Sequence, residues 1–127
     1  MEEWLAEEWE DVPTVTQGEV LRKLLEMRAL AAPGPDGIMG QCLQASRSVM
    51  VPCLTELFQR MLQLGIHPAS WKTARVLPIP KPGADLHVAK GYRPIALLNV
   101  LSKVMESLMK DCMTYILEIC SLLSACQ

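Results

Sequence analysis

Five basic side chains, Lys72, Arg75, Lys81, Lys90 and Arg93, lie close together in a stretch dense in proline. Arginine presents a planar fork of donors suited to bidentate contact with phosphate, and lysine offers a compact charge. On a stiff ribbon facing a groove, such a set has the chemistry to grip a triphosphate or a nucleic-acid backbone. Charges solvated on a strand surface would leave the same string, so residue types alone keep both readings open. The cysteines suggest less. Cys42, Cys53, Cys112, Cys120 and Cys126 form no C-x-x-C pair, and His67 and His87 are remote from them in sequence. Free thiols are the expectation, with no metal ligand and no disulfide.

The net charge of -2 conceals an asymmetry. The first dozen residues hold six acids and no base, whereas the remainder carries all 12 Lys and Arg against eight acids. Between Lys72 and Lys110 the excess is five positive charges, with Asp85 and Glu106 the only acids. At 127 residues, half of them apolar, the chain has the material for one small core. It has no unbroken apolar run of membrane-spanning length, and its start, MEEWLAEEWED, is acidic where a secretory leader is basic. An intracellular protein without a membrane partner is expected, in nucleus or cytoplasm.

The basic stretch needs elements to position it. Residues 1–12 read as an acidic N-terminal arm, because Val12-Pro13 interrupts a helix begun at Trp4. Trp4, Leu5 and Trp9 either fray or dock on a neighbour. Thr16 and Glu19 form a capping box, with Val15 and Val20 as its hydrophobic staple. The helix that follows should align Val20, Leu24, Met27 and Ala31 and end there, before Pro33. Ala32–Gly37 is a tight turn, followed by a short helical piece around Ile38–Ala45. A helix over Val51–Leu64 should bury Leu54, Leu57, Phe58, Met61 and Leu62, with Pro52 in its first turn and Gly65 just past its end.

After His67-Pro68 the pattern changes to strands. Ala74–Ile79 alternates, with Arg75, Leu77 and Ile79 on one face, and Pro78 and Pro80 restrict it to a sheet edge. Arg93–Leu98 supplies a partner across a loop of about a dozen residues. Asn99 then caps a long helix in which Leu101, Val104, Met105, Leu108, Cys112, Tyr115, Ile116 and Ile119 repeat at helical spacing. The expected class is α+β: mostly helical, with a two-stranded antiparallel hairpin.

The string WKTARVLPIPKPGADLHVAKGYRPIALLNVLSKVMESLM resembles the first conserved blocks of reverse transcriptases from non-LTR (LINE-like) retrotransposons. Those enzymes show W-K-x-A, I-P-K-P-G-K, Y-R-P-I-[SA]-L-L and G-K-x-x-E in this order. Upstream, AAPGPDGI resembles their K-A-P-G-P-D-G-I block, and TYILEICSLLSACQ resembles the segment leading into a Q-F-G block. The resemblance implies that residues 13–127 form an incomplete reverse transcriptase domain, comprising fingers and the start of the palm.

By position, the resemblance implies that Arg93 contacts the phosphates of an incoming deoxynucleotide. Lys81, Arg75 and Lys72 would be companions there or along the template strand. The Pro33–Gly37 turn would lie near the template entrance, with Asp36 fixing the turn. Tyr92 is better read as packing beside the strand than as stacking on a base, and Lys103 as lying on a helix flank. Ala31, Ala84, Ser102 and Cys112 depart from the family's usual Lys/Arg, Lys, Gly and Arg.

The family's polymerisation requires aspartates from F-x-D-x-x-x-A-F-D-like and Y-x-D-D blocks to hold two Mg²⁺ ions. Neither block occurs in this sequence, and Asp11, Asp36, Asp85 and Asp111 lack that context. The chain alone is therefore expected to bind no Mg²⁺ and to be inactive. RNA template, DNA primer and deoxynucleotide are the partners implied for the complete enzyme, together with self-association through apolar faces left bare. The alternative is a host-retained helical interaction module or a simple nucleic-acid-binding fragment.

Overall fold

In the computed structural model, residues 12–120 are described. The expected acidic arm, the docking of Trp4, Leu5 and Trp9, Cys126 and the end of the C-terminal tail lie outside them. The first helix, α1 (Gln17–Glu26), starts from the expected capping box. Thr16 Oγ1 accepts from the Glu19 amide at 3.3 Å, while Glu19 Oε2 accepts from the Thr16 amide at 2.9 Å. Val15 and Val20 are both buried, as a staple requires.

Helix α1 ends at Glu26 instead of continuing to Ala31, because Met27 is already extended. Gln44 Nε2 donates to the Leu24 and Met27 carbonyls at 2.8 and 3.0 Å, satisfying two acceptors at the helix end from outside. The chain then bends, with Ala31 N donating to Arg28 O and Gln41 N to Ala29 O. Helix α2 (Gly40–Ala45) follows.

Helix α3 (Arg47–Leu64) begins a turn earlier than expected, so Pro52 sits inside it. Proline leaves the Ser48 carbonyl without its helical donor, yet both residues face solvent, where water can substitute. Val51, Leu54, Phe58 and Met61 form the buried stripe. Leu57, expected in the core, is 41% exposed, because it lies to one side of that stripe. Gly65, at φ 62°, closes the helix as its amide reaches Leu62 O and the Ile66 amide reaches Met61 O.

Strands β1 (Arg75–Pro80) and β2 (Tyr92–Leu97) pair antiparallel, with Arg75 opposite Leu97 and Pro80 opposite Tyr92. Each is shifted by one residue from its expected bounds. Helix α4 (Val100–Ile119) buries Val100, Ser102, Val104, Met105 and Leu108 in its first half. The stripe does not stay buried: Tyr115 is 65% and Ile119 64% exposed. The second half of α4 has run past the helices that cover its first half.

Helix α1 is the centre of the helical part, packing on α2, α3 and α4. Val20, Leu24, Phe58 and Val104 are among its fully enclosed side chains, and Trp71 meets the Phe58 ring edge-on at 6.3 Å. Beside this core Lys23, its side chain only 8% exposed, meets Asp111 at 2.8 Å. Arg22 reaches the same carboxylate oxygen at 3.0 Å, joining α1 to α4. The architecture is thus mixed, with four helices and one two-stranded hairpin among the described residues.

Candidate functional site

The ribbon's chemistry follows from its register. Residues directly opposite each other in an antiparallel pair share a face, and faces alternate along each strand. Arg75, Leu77 and Ile79 therefore share a face with Leu97, Ile95 and Arg93. Arg75 and Arg93 stand at the two ends of that face, separated by four strand residues, or roughly 13 Å. Exposed Leu77, Ile79 and Ile95 lie between them.

Both guanidinium groups and Lys72 are on exposed residues. Among the described residues, none of Lys72, Arg75, Lys81, Lys90 and Arg93 forms an ion pair, whereas Arg22, Lys23 and Arg60 do. Asp85, an acid in the connecting loop, turns an oxygen to the His87 amide at 2.9 Å. Among the described residues the excess charge of the ribbon is thus not neutralised by an acid and is available to an anionic ligand.

Lys81 is held differently from the arginines. Its Nζ donates to Lys90 O at 2.7 Å, and its amide donates to Gly91 O at 2.8 Å. The ammonium thus ties the start of the loop to its end while two of its donors stay open. Tyr92 Oη donates to Leu86 O at 3.2 Å, which gives its side chain a structural task in the same loop. Gly91 is buried against the Asp85 carbonyl, where no Cβ would fit. These contacts shape residues 81–91 into an ordered connection.

The ribbon's base is fixed by Asn99. The residue is the N-cap of α4, as expected, but its side chain makes no capping bond. Asn99 Oδ1 accepts from the Asp36 amide at 3.4 Å, and Nδ2 donates to Ser70 O at 3.3 Å. One buried amide therefore ties the Pro33–Gly37 turn to the segment entering β1, from a position just after β2. Asp36 serves that turn, its Oδ1 accepting from the Ile38 amide at 3.0 Å. The sequence offered only a helix cap at Asn99, since no local pattern announces bonds to residues so distant in the chain.

The aspartates among the described residues do not fit a two-metal centre. Asp36 and Asp85 are engaged by backbone amides, and Asp111 by Lys23 and Arg22, on three separate elements. Among the described residues, no three His, Cys, Asp or Glu side chains gather as metal ligands. Likewise none of their helices is long and apolar enough to cross a membrane.

The chain is similar to portions of much longer proteins. It is 36% identical over 102 residues to a putative 115 kDa protein in the type-1 retrotransposable element R1DM of Drosophila melanogaster, covering 79% of this chain and 10% of that protein. It is 30% identical over 93 residues to a probable RNA-directed DNA polymerase from transposon BS of the same fly, covering 73% of this chain and 10% of the relative. The RNA-directed DNA polymerase from its mobile element jockey is 31% identical over 94 residues, 74% of this chain and 10% of that polymerase. The chain spans about a tenth of the length of these curated relatives. No protein-family model matches it.

Proposed function

The chain belongs to the non-LTR retrotransposon RNA-directed DNA polymerases, and we propose that it forms the fingers and the opening of the palm of such a polymerase. In this reading the exposed ribbon grips the phosphates of substrate. Arg93 meets the incoming deoxynucleotide, and Arg75 and Lys72 follow the template or primer backbone. Lys81 orders the loop beside them and lends its remaining donors. The observation that carries the reading is the placement of Arg75 and Arg93 on one exposed face, unpaired with any acid among the described residues.

By itself this chain grips without polymerising. The Mg²⁺ ions of the complete enzyme activate the primer hydroxyl and stabilise the leaving pyrophosphate. Asp36, Asp85 and Asp111 are dispersed and otherwise bonded, and among the described residues no three possible ligands gather to hold such ions. The exposed apolar half of α4 suits a covering partner, and in isolation it promotes self-association. That same face favours a second reading, a helical module that binds protein.

Primer extension on an RNA template with Mg²⁺ tests this proposal beside direct binding of the same primed template. The chain should bind the template without adding nucleotides. Sustained incorporation would overturn the inactivity, and absence of template binding would favour the protein-binding module.

A further inference from the structure

The register also fixes where each backbone N–H of the ribbon points. Pro78 lies opposite Pro94, and two prolines cannot exchange N–H bonds, so theirs is a non-hydrogen-bonded pair. Such pairs alternate with bonded ones, which makes Leu77 with Ile95, and Ile79 with Arg93, the bonded pairs. The bond from the Lys81 amide to Gly91 O continues that alternation beyond the strands. The backbone groups of Val76, Pro78 and Pro80 on β1, and of Tyr92, Pro94 and Ala96 on β2, therefore point away from the ribbon.

Those outward groups are what an incoming strand would use. Among the described residues the ribbon has two strands and two open edges, and exposed Val76, Leu77, Ile79 and Ile95 give it a composition that favours strand addition. Along the β1 edge Val76 alone of the three outward residues has an N–H. Along the β2 edge the middle outward position is Pro94 and the Tyr92 amide already donates to Ala89 O, leaving Ala96 the one free outward donor of the three. Neither edge presents two consecutive outward donors.

We propose that Pro78, Pro80 and Pro94 guard both edges of the ribbon against strand addition and confine recognition to its faces. Neither a second copy nor an extended peptide can continue the sheet, so a ligand must meet the face bearing Arg75 and Arg93 or the face opposite. This inference rests on the register alone and stands whether or not the ribbon binds nucleic acid.

Amide hydrogen exchange over a range of protein concentrations tests it, comparing the parent chain with P78V/P80V/P94V and with Pro68→Val, which lies outside the ladder. In the parent and in Pro68→Val, the outward amides of Val76 and Ala96 should exchange equally fast at every concentration. In the triple variant they should slow by about tenfold or more as concentration rises, the factor given by ~1.4 kcal/mol of pairing. Concentration-independent exchange in the triple variant would overturn the proposal, and so would concentration-dependent slowing in the parent. If the triple variant loses its helical circular dichroism, Pro78→Val and Pro94→Val taken singly decide the matter by the same readout.

Discussion

Gly34 and Asn99 are packed so closely that a Cβ on Gly34 would lie 2.5 Å from the Asn99 amide nitrogen and 2.6 Å from its Oδ1. The turn between α1 and α2 and the start of α4 are thus fitted backbone to backbone, and the Asn99 side chain links both to Ser70. The ribbon leaves and re-enters the helical part at this junction. Its aim depends on a glycine and an asparagine more than on any contact of the strands themselves.

Gly34→Ala should therefore destabilise the fold by about 1–3 kcal/mol, as overpacking in a tight site does. Asn99→Ala should cost a similar ~1–3 kcal/mol by leaving the Asp36 amide and Ser70 carbonyl unpaired. Urea denaturation of each single variant and of the double variant measures these effects. Because the residues touch, the double variant should fall short of the sum.

Helix α3 offers a contrast between two adjacent apolar residues. Phe58 is fully buried, so Phe58→Ala should cost about 3–5 kcal/mol, a large share of a small domain's stability. Leu57 is 41% exposed, and Leu57→Ala should cost clearly less, about 1 kcal/mol. Thermal melts followed by circular dichroism separate the two.

That contrast also marks how far the sequence can be read. The capping box at Thr16, the Gly65 terminus and the proline-bound ribbon were legible because each depends on residues within a few positions of one another. The face of α3 was not fully legible, since neighbouring apolar residues on a helix can each lie at the edge of a buried stripe. The early end of α1 was hidden because Gln44, far along the chain, takes its last carbonyls. The basic residues of the ribbon could be listed from sequence, but their shared face needed the register of β1 against β2.

The Lys23–Asp111–Arg22 contact carries a pH signature. Hydrogen bonds from Lys23 and then Arg22 hold the Asp111 carboxyl below its ordinary range. A depressed folded-state value means the contribution is present above the unfolded carboxyl range, near ~4, and is lost as pH falls through the folded value. Asp111→Asn should thus be less stable than the parent at neutral pH, with the gap closing in acid and narrowing in high salt. Paired urea titrations across pH check this, and a gap unchanged by acid would assign the loss to packing.

The thiols should differ in reactivity. Burial, followed by the charges of Glu19 and Asp111, pushes the Cys112 thiol up from its ordinary value. Cys42, Cys53 and Cys120 are exposed. At mildly alkaline pH, iodoacetamide should modify Cys112 after Cys42, Cys53 and Cys120, as followed by peptide mass spectrometry.

The claim that the ribbon's Arg75–Arg93 face grips a nucleic-acid backbone is tested most directly by fluorescence anisotropy with a labelled RNA–DNA hybrid, titrated at several salt concentrations. The parent chain should bind with an affinity that falls as salt rises. Arg75→Ala and Arg93→Ala should each weaken binding and each reduce the salt slope by about one. Equal affinity and equal salt slope in the parent and both variants would contradict the assignment of that face.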